Sequence, residues 1–140
     1  MNGTTDVSVE KWDIVNEVDC PVSHGFADGV YLREIFMPKG TYVIGKEHTT
    51  QHFNIVLKGQ AYVMMNDTVE LITAPTTFVS SSGTRKVLYV LEDMIWQTVH
   101  TNEENTKDIE TIENRLATDT PLDRNILLSP KEMIEIGGMV

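Results

Sequence analysis

The chain has 140 residues, one cysteine, and eleven basic against twenty-one acidic side chains, a formal net charge of −10 at pH 7. That length suits one domain with its own hydrophobic core, and the lone Cys20 excludes an intrachain disulfide and fits a reducing compartment. The charge disfavours phosphate backbones and anionic membranes, no apolar run approaches the roughly 20 residues of a membrane span, and residues 1–6 lack the features of a signal peptide, so a cytoplasmic protein with neither nucleic-acid nor membrane partners is expected.

In chain order, 7–18 alternates irregularly and reads as a segment able to pair or exchange between copies of the chain. His24, ahead of Gly25 in a turn-like stretch, reads as a surface residue. Short β-branched and aromatic runs then predict strands over 30–37, 52–57, 60–65, 68–72, 76–80, 86–91 and 94–100. Between them, Pro38-Lys39-Gly40, Lys58-Gly59, Asn66-Asp67 and Ser81-Ser82-Gly83-Thr84 supply residues that accept turn geometry cheaply. No helical segment separates the runs, which argues against a parallel α/β sheet and for an all-β barrel or sandwich. After residue 104 the composition turns polar. Ile109, Ile112 and Leu116 recur at helical spacing and predict an amphipathic helix over 105–117. A second, shorter helix is signalled by Ser129-Pro130-Lys131-Glu132, a capping box with proline at the first helical position, and is expected to stop at Gly137. The expected organisation is therefore a β-barrel with an N-terminal strand over 1–104 and a helical extension over 105–140 packed on the same domain.

Three of the four histidines fall within the barrel region. Gly40, Lys46, His48, His52 and Gly59 are spaced as Gly, five residues, Lys-x-His, three residues, His, six residues, Gly. This pattern resembles the first signature of the cupins, in which a His-x-His pair and a following glutamate aim at one point in the barrel mouth. Lys46 stands where the first histidine is usual and His52 where the glutamate is usual. The second cupin signature is echoed at Pro75, but Thr77 stands for its glycine, Ser80 for its ligand histidine and Thr84 for its asparagine. The resemblance covers about 30–100 and implies the double-stranded β-helix, or RmlC-like jelly roll, with short C-terminal helices. The strand pattern and missing ligands look like the small single-domain cupins of tailed bacteriophages and bacteria, which would make a virion component the alternative location.

Because Trp96, Thr98 and His100 alternate with Ile95, Gln97 and Val99, an inward even-numbered face would bring His100 to His48 and His52. Three imidazoles with an open position suit one divalent metal ion, zinc, iron, nickel or manganese, with Asn54 or Glu92 as outer hydrogen-bond partners. A metal-free pocket is the competing expectation, since Lys46 in the cluster would repel a cation. Lys46 would then serve as a base or anion clamp, and Arg85-Lys86 is a second basic spot for a small anion. Lys46, Asn54, Tyr62, Ser80 and Trp96 are the expected pocket residues.

Two functions follow. The first is a small-ligand-binding or structural module that works with a small molecule or an assembly partner, as a homodimer or higher homo-oligomer. The second is a metal-dependent enzyme of isomerase, lyase or dioxygenase type, acting on a small polar molecule through His48, His52 and His100.

Overall fold

The computed structural model describes residues 20–118 and 127–138. Among these residues nine strands and two helices follow in order: β1 Val22–Ala27, β2 Gly29–Met37, β3 Tyr42–Ile44, β4 Glu47–His48, β5 His52–Met65, β6 Thr68–Thr73, β7 Thr76–Ser80, β8 Val87–Asn102, α1 Ile109–Leu116, β9 Ala117–Thr118 and α2 Pro130–Gly137. One antiparallel sheet runs β1-β2-β8-β5-β6, with β3 also paired to β8 and β7 to β5, while β4 and β9 form a separate two-stranded ribbon. The expected exchange segment over 7–18 and most of the loop after 118 lie outside the described residues.

Two long strands make the frame. β5 and β8 pair along most of their lengths, and each also pairs with shorter strands at its two ends. On β8 the even-numbered Met94, Trp96 and His100 are buried, as are His52, Asn54 and Val56 on β5. On β2 the inward positions are Tyr31, Arg33, Ile35 and Met37, set opposite His100, Thr98, Trp96 and Met94. The barrel is thus layered. An apolar row, Ile35-Trp96-Val56, is followed by a polar row, Arg33-Thr98-Asn54, and then by Tyr31, His100 and His52 at the mouth.

The break expected at Lys58-Gly59 is instead a bulge inside one continuous strand. Register shifts between Val56 and Ala61 turn the inward set from even to odd, so that Ala61 and Val63 are buried. Gly59 has φ +94°, and a Cβ there would lie 2.4 Å from the Asp93 carbonyl oxygen. Similarly, 86–91 and 94–100 merge into the single β8. By contrast, Asn66 and Asp67 both take positive φ between paired Met65 and Thr68, the two-residue hairpin turn their sequence favours. Thr41 N donates to Pro38 O across the expected turn at Gly40.

β1 corrects the turn-like reading of 22–27. Its alternation is weak because an edge strand needs only one partner, and the Asp28-Gly29 turn closes the hairpin with φ +75° at Gly29. The first helix starts four residues later than its periodicity suggested. Asn105 has φ +53° and its Oδ1 accepts from Gly29 N at 2.7 Å, a tertiary tie that no helix could keep. Ile112 and Leu116 then pack on Tyr31 as their spacing implied. At α2 the capping box forms as read, Ser129 Oγ accepting from Glu132 N and Glu132 Oε1 from Ser129 N, both at 3.1 Å. The helix runs through Gly137 and is capped at Gly138, one residue beyond the expected stop. Gly137 is the contact surface, pressed against the ring of Tyr62.

A Cβ at Gly59 would have to displace backbone, and the left-handed φ adds strain. Gly59→Ala should therefore cost about 2 kcal/mol or more in urea denaturation, whereas Gly40→Ala, where a Cβ meets nothing within 4 Å, should cost only its backbone strain of about 1 kcal/mol. Equal losses at the two glycines would contradict the close approach at the bulge.

Candidate functional site

Strand alternation brings three histidines together. His52 opens β5, His100 lies near the end of β8, and His48 is held between them by the short ribbon. His48 N donates to Thr84 O at 3.0 Å, Gly83 N donates to His48 O at 2.8 Å, and His48 pairs with Ala117 of β9. Thr49 adds two further ties to the end of α1, through Leu116 O and Arg115 O. Ring-centroid separations are 4.4 Å for His48–His52, 4.7 Å for His52–His100 and 5.8 Å for His48–His100. Of the two faces alternation allows for β8, the even-numbered one is inward, with Met94, Trp96 and His100 buried.

The cation in this cluster is Lys86. Only 7% exposed, it places Nζ 3.3 Å from His52 Nε2. The tautomer follows from the other side of the ring. His52 Nδ1 lies 3.1 Å from Thr50 O, and because a carbonyl only accepts, Nδ1 carries the proton and Nε2 is left to accept from the ammonium. His100 Nε2 meets Thr98 Oγ1 at 2.8 Å. The Nδ1 atoms of His48 and His100 are buried without a partner.

Electrostatics keep the rings neutral. Burial first, then the nearby Lys86 ammonium, His52 and Arg33, push His48 down to about 3. His100 is likewise pushed down to about 3, by burial, the two other histidines, Arg33 and Lys86. His52 is lowered mainly by burial, partly offset by its bond to Thr50. Lys86 is lowered to about 8 by burial, which leaves it largely protonated at neutral pH.

Beneath the histidines lies a closed polar network. Trp96 Nε1 donates to Asn54 Oδ1 at 3.1 Å, and Asn54 Nδ2 donates to Ser80 Oγ at 2.8 Å. Asn54, Ser80 and Trp96 therefore do converge, but as the support under the cluster, with their polar atoms spent on one another. Tyr62 does not join them. The bulge in β5 reverses its side, and it packs with Tyr42, Val69, Val87 and Met133 under α2. Glu92 is exposed within β8 opposite Gln60 at the bulge, beside Asp93 and Lys39, and is no outer partner of the histidines. Lys46 is exposed on a cavity wall. Lys86, read from the sequence as part of a local basic spot able to serve a small anion, was missed as the buried cation against His52. Its signal was only its place three residues after Gly83, just before a long apolar strand. His24, although exposed, accepts or donates one bond at 2.6 Å to the Tyr31 hydroxyl.

Two openings flank the cluster. One, of about 280 Å³, is bounded by β2, β3, β4 and α1 and includes Tyr31, Arg33, His48, His100 and Glu113. The other, of about 310 Å³ and mostly apolar, is lined by His52, Phe53, Val79, Val99 and His100.

The fit to a divalent metal is poor. His52 Nε2, the nitrogen left free for coordination by the Thr50 bond, faces an ammonium, which leaves, among the buried ring nitrogens, only the Nδ1 atoms of His48 and His100 open to a metal. Among the described residues, no group of three or more His, Cys, Asp and Glu side chains is arranged to hold a metal ion.

Solved structures similar to this architecture include cupins. A cupin superfamily protein from Desulfitobacterium hafniense superposes with a TM-score of 0.53 at 10% identity, over 60% of this chain and 78% of its own. An RmlC-like cupin family protein with a double-stranded β-helix fold, from Methanocaldococcus jannaschii, gives 0.52 at 11% identity, over 61% and 82%. A conserved protein of unknown function from Streptococcus pyogenes gives 0.52 at 14%, over 60% and 75%. No protein-family model matches the sequence, and no curated protein matches it. The chain has the cupin fold, a mostly antiparallel β-barrel with two short helices near the C-terminus. Among its described residues, no helix is long and apolar enough to cross a membrane.

Neutral burial of the histidines sets a pH dependence. Unfolded rings bind protons near 6.5 while the folded His48 and His100 rings resist until about 3, so the unfolded chain holds more protons between those values and stability should fall as pH drops through that window. For the 3% exposed His100 the slope is on the order of 1 kcal/mol per pH unit, and less for part-exposed His48. Urea midpoints from pH 6.5 to 4.5 should fall less steeply in a His48→Asn, His100→Gln double variant; parallel slopes would count against neutral burial.

Proposed function

We propose that this protein is a metal-independent small-ligand-binding barrel in which the ammonium of Lys86 takes the position a metal ion would otherwise occupy. The observation that carries this reading is the contact of Lys86 Nζ with Nε2 of His52, one of the three clustered histidines. A divalent ion at that point would face a unit positive charge at hydrogen-bonding distance. Even at an effective dielectric constant of about 20, repulsion between unit charges at ~4 Å is worth about 4 kcal/mol, and a divalent ion doubles it. The burial of Lys86 is part of the same reading, because a buried ammonium is retained at a cost in desolvation.

The convergence of three imidazoles favours a second reading, a metal-dependent enzyme using His48, His52 and His100 once Lys86 swings aside. One experiment separates the two. Protein purified without a nickel column should contain zinc, iron, nickel and manganese far below one equivalent and should refuse added zinc. Lys86→Ala, which keeps the imidazoles and removes the charge, should bind zinc at least about tenfold more tightly than the wild type. Near-stoichiometric metal in the wild type, lost in His52→Ala, would overturn the metal-independent reading.

A further inference from the structure

Resting on the metal-independent reading, the ligand itself can be narrowed from the cavity of about 280 Å³ beside the cluster. Its decisive residue is Arg33. On β2 it occupies an inward position between Tyr31 and Ile35, where alternation otherwise places core residues, and opposite Thr98. Its charge reaches both His48 and His100. No hydrogen bond or ion pair of its guanidinium is formed among the described residues; the ion pair found there joins Arg115 to Glu104. An inward-facing arginine that forms no ion pair among the described residues, even with Glu113 lining the same cavity, costs desolvation energy that a bound anion would offset.

Three further observations specify the anion. The Nδ1 atoms of His48 and His100, two rings of this same cavity, are buried and unpartnered, so the site holds unused hydrogen-bonding capacity. No carboxylate of the described residues lies within ion-pairing distance of Lys86, so the cluster's own cation is also uncompensated. Ile35, Val43, Ile44 and Leu116 supply an apolar part of the wall, while Lys46 and Glu113 stand among the other lining residues. Charge limits the ligand further. Glu113 stands at the cavity and the whole chain carries −10, which disfavours a dianion such as phosphate over a single carboxylate.

We propose that this cavity binds a small monocarboxylate with an apolar tail, the carboxylate lying on the planar fork of Arg33 beside His48 and His100, and the tail lying against Tyr31, Ile35 and Leu116.

The test is a ¹H–¹⁵N NMR titration of full-length protein, shown by elemental analysis to be metal-free, with isovalerate, benzoate, their neutral amides and inorganic phosphate. At least one of the two carboxylates should bind, with shifts centred on Arg33, Tyr31, His48, His100 and Leu116, and should bind at least about tenfold more tightly than its amide or phosphate. Arg33→Met, if its spectrum remains dispersed, should lose at least about tenfold in affinity. If that variant does not fold, the location of the wild-type shifts decides. Binding of neither carboxylate to metal-free protein, equal binding of acid and amide or of phosphate, shifts centred elsewhere, or a folded Arg33→Met with full affinity would each overturn the proposal. Discovery of a bound metal in the starting sample would instead strike the metal-independent reading on which it rests.

Discussion

The pairing of β5 with β8 is the constraint on which the rest of the molecule depends. Each strand is long enough to cross from the apolar floor of the barrel to its mouth, and antiparallel register ties each level of one to a level of the other. Because side chains alternate, a single register decides every inward residue at once. Trp96 and Val56 lie at the level of the core, Thr98 and Asn54 at the next, and His100 and His52 at the mouth. The bulge around Gly59 then lets the same strand change its inward set, so β5 serves both the polar mouth and the apolar floor.

On that frame the site is an exercise in desolvation. Three imidazoles share a small volume with one ammonium, and the least costly distribution of protons leaves the rings neutral and the lysine charged. The Thr50 carbonyl selects the His52 tautomer that can accept from Lys86, so a backbone atom two residues away determines what the imidazole presents to the cavity. Asn54, Ser80 and Trp96 consume one another's hydrogen-bonding capacity beneath the cluster and thereby hold its floor rigid. Neither Lys86 nor Arg33 forms an ion pair among the described residues, and the charge of Arg33 at the cavity is what the proposed anion site rests on.

The helices contribute by position. α1 closes one side of the mouth through Ile112 and Leu116 on Tyr31, and its final carbonyls receive the Thr49 bonds that set the height of His48. α2 seals the opposite flank, where Met133 and Gly137 meet the outward-facing Tyr42 and Tyr62. This is why Tyr62, aromatic and close in sequence to the site, belongs to a packing surface.

Local chemistry was legible from the chain itself: the turns at Gly40 and Asn66-Asp67, the capping box at Ser129, the stripe Ile109, Ile112, Leu116, and the alternation along 94–100, though not which of its two faces is inward. Each of these depends on residues within a few positions of one another, so periodicity and turn chemistry suffice to read them. Edge strand β1, the bulge at Gly59 and the late start of α1 were not legible, because each is decided by a distant partner: β2, the Asp93 carbonyl, and the backbone of Gly29. The same division runs through the site. The spacing of His48 and His52 signalled that the two rings would meet, whereas the identity of the cation beside them was decided only by tertiary structure. Lys46 and Lys86 are both plausible in sequence, and the backbone path around Gly45 and Thr84 sends the first to the surface and buries the second against His52.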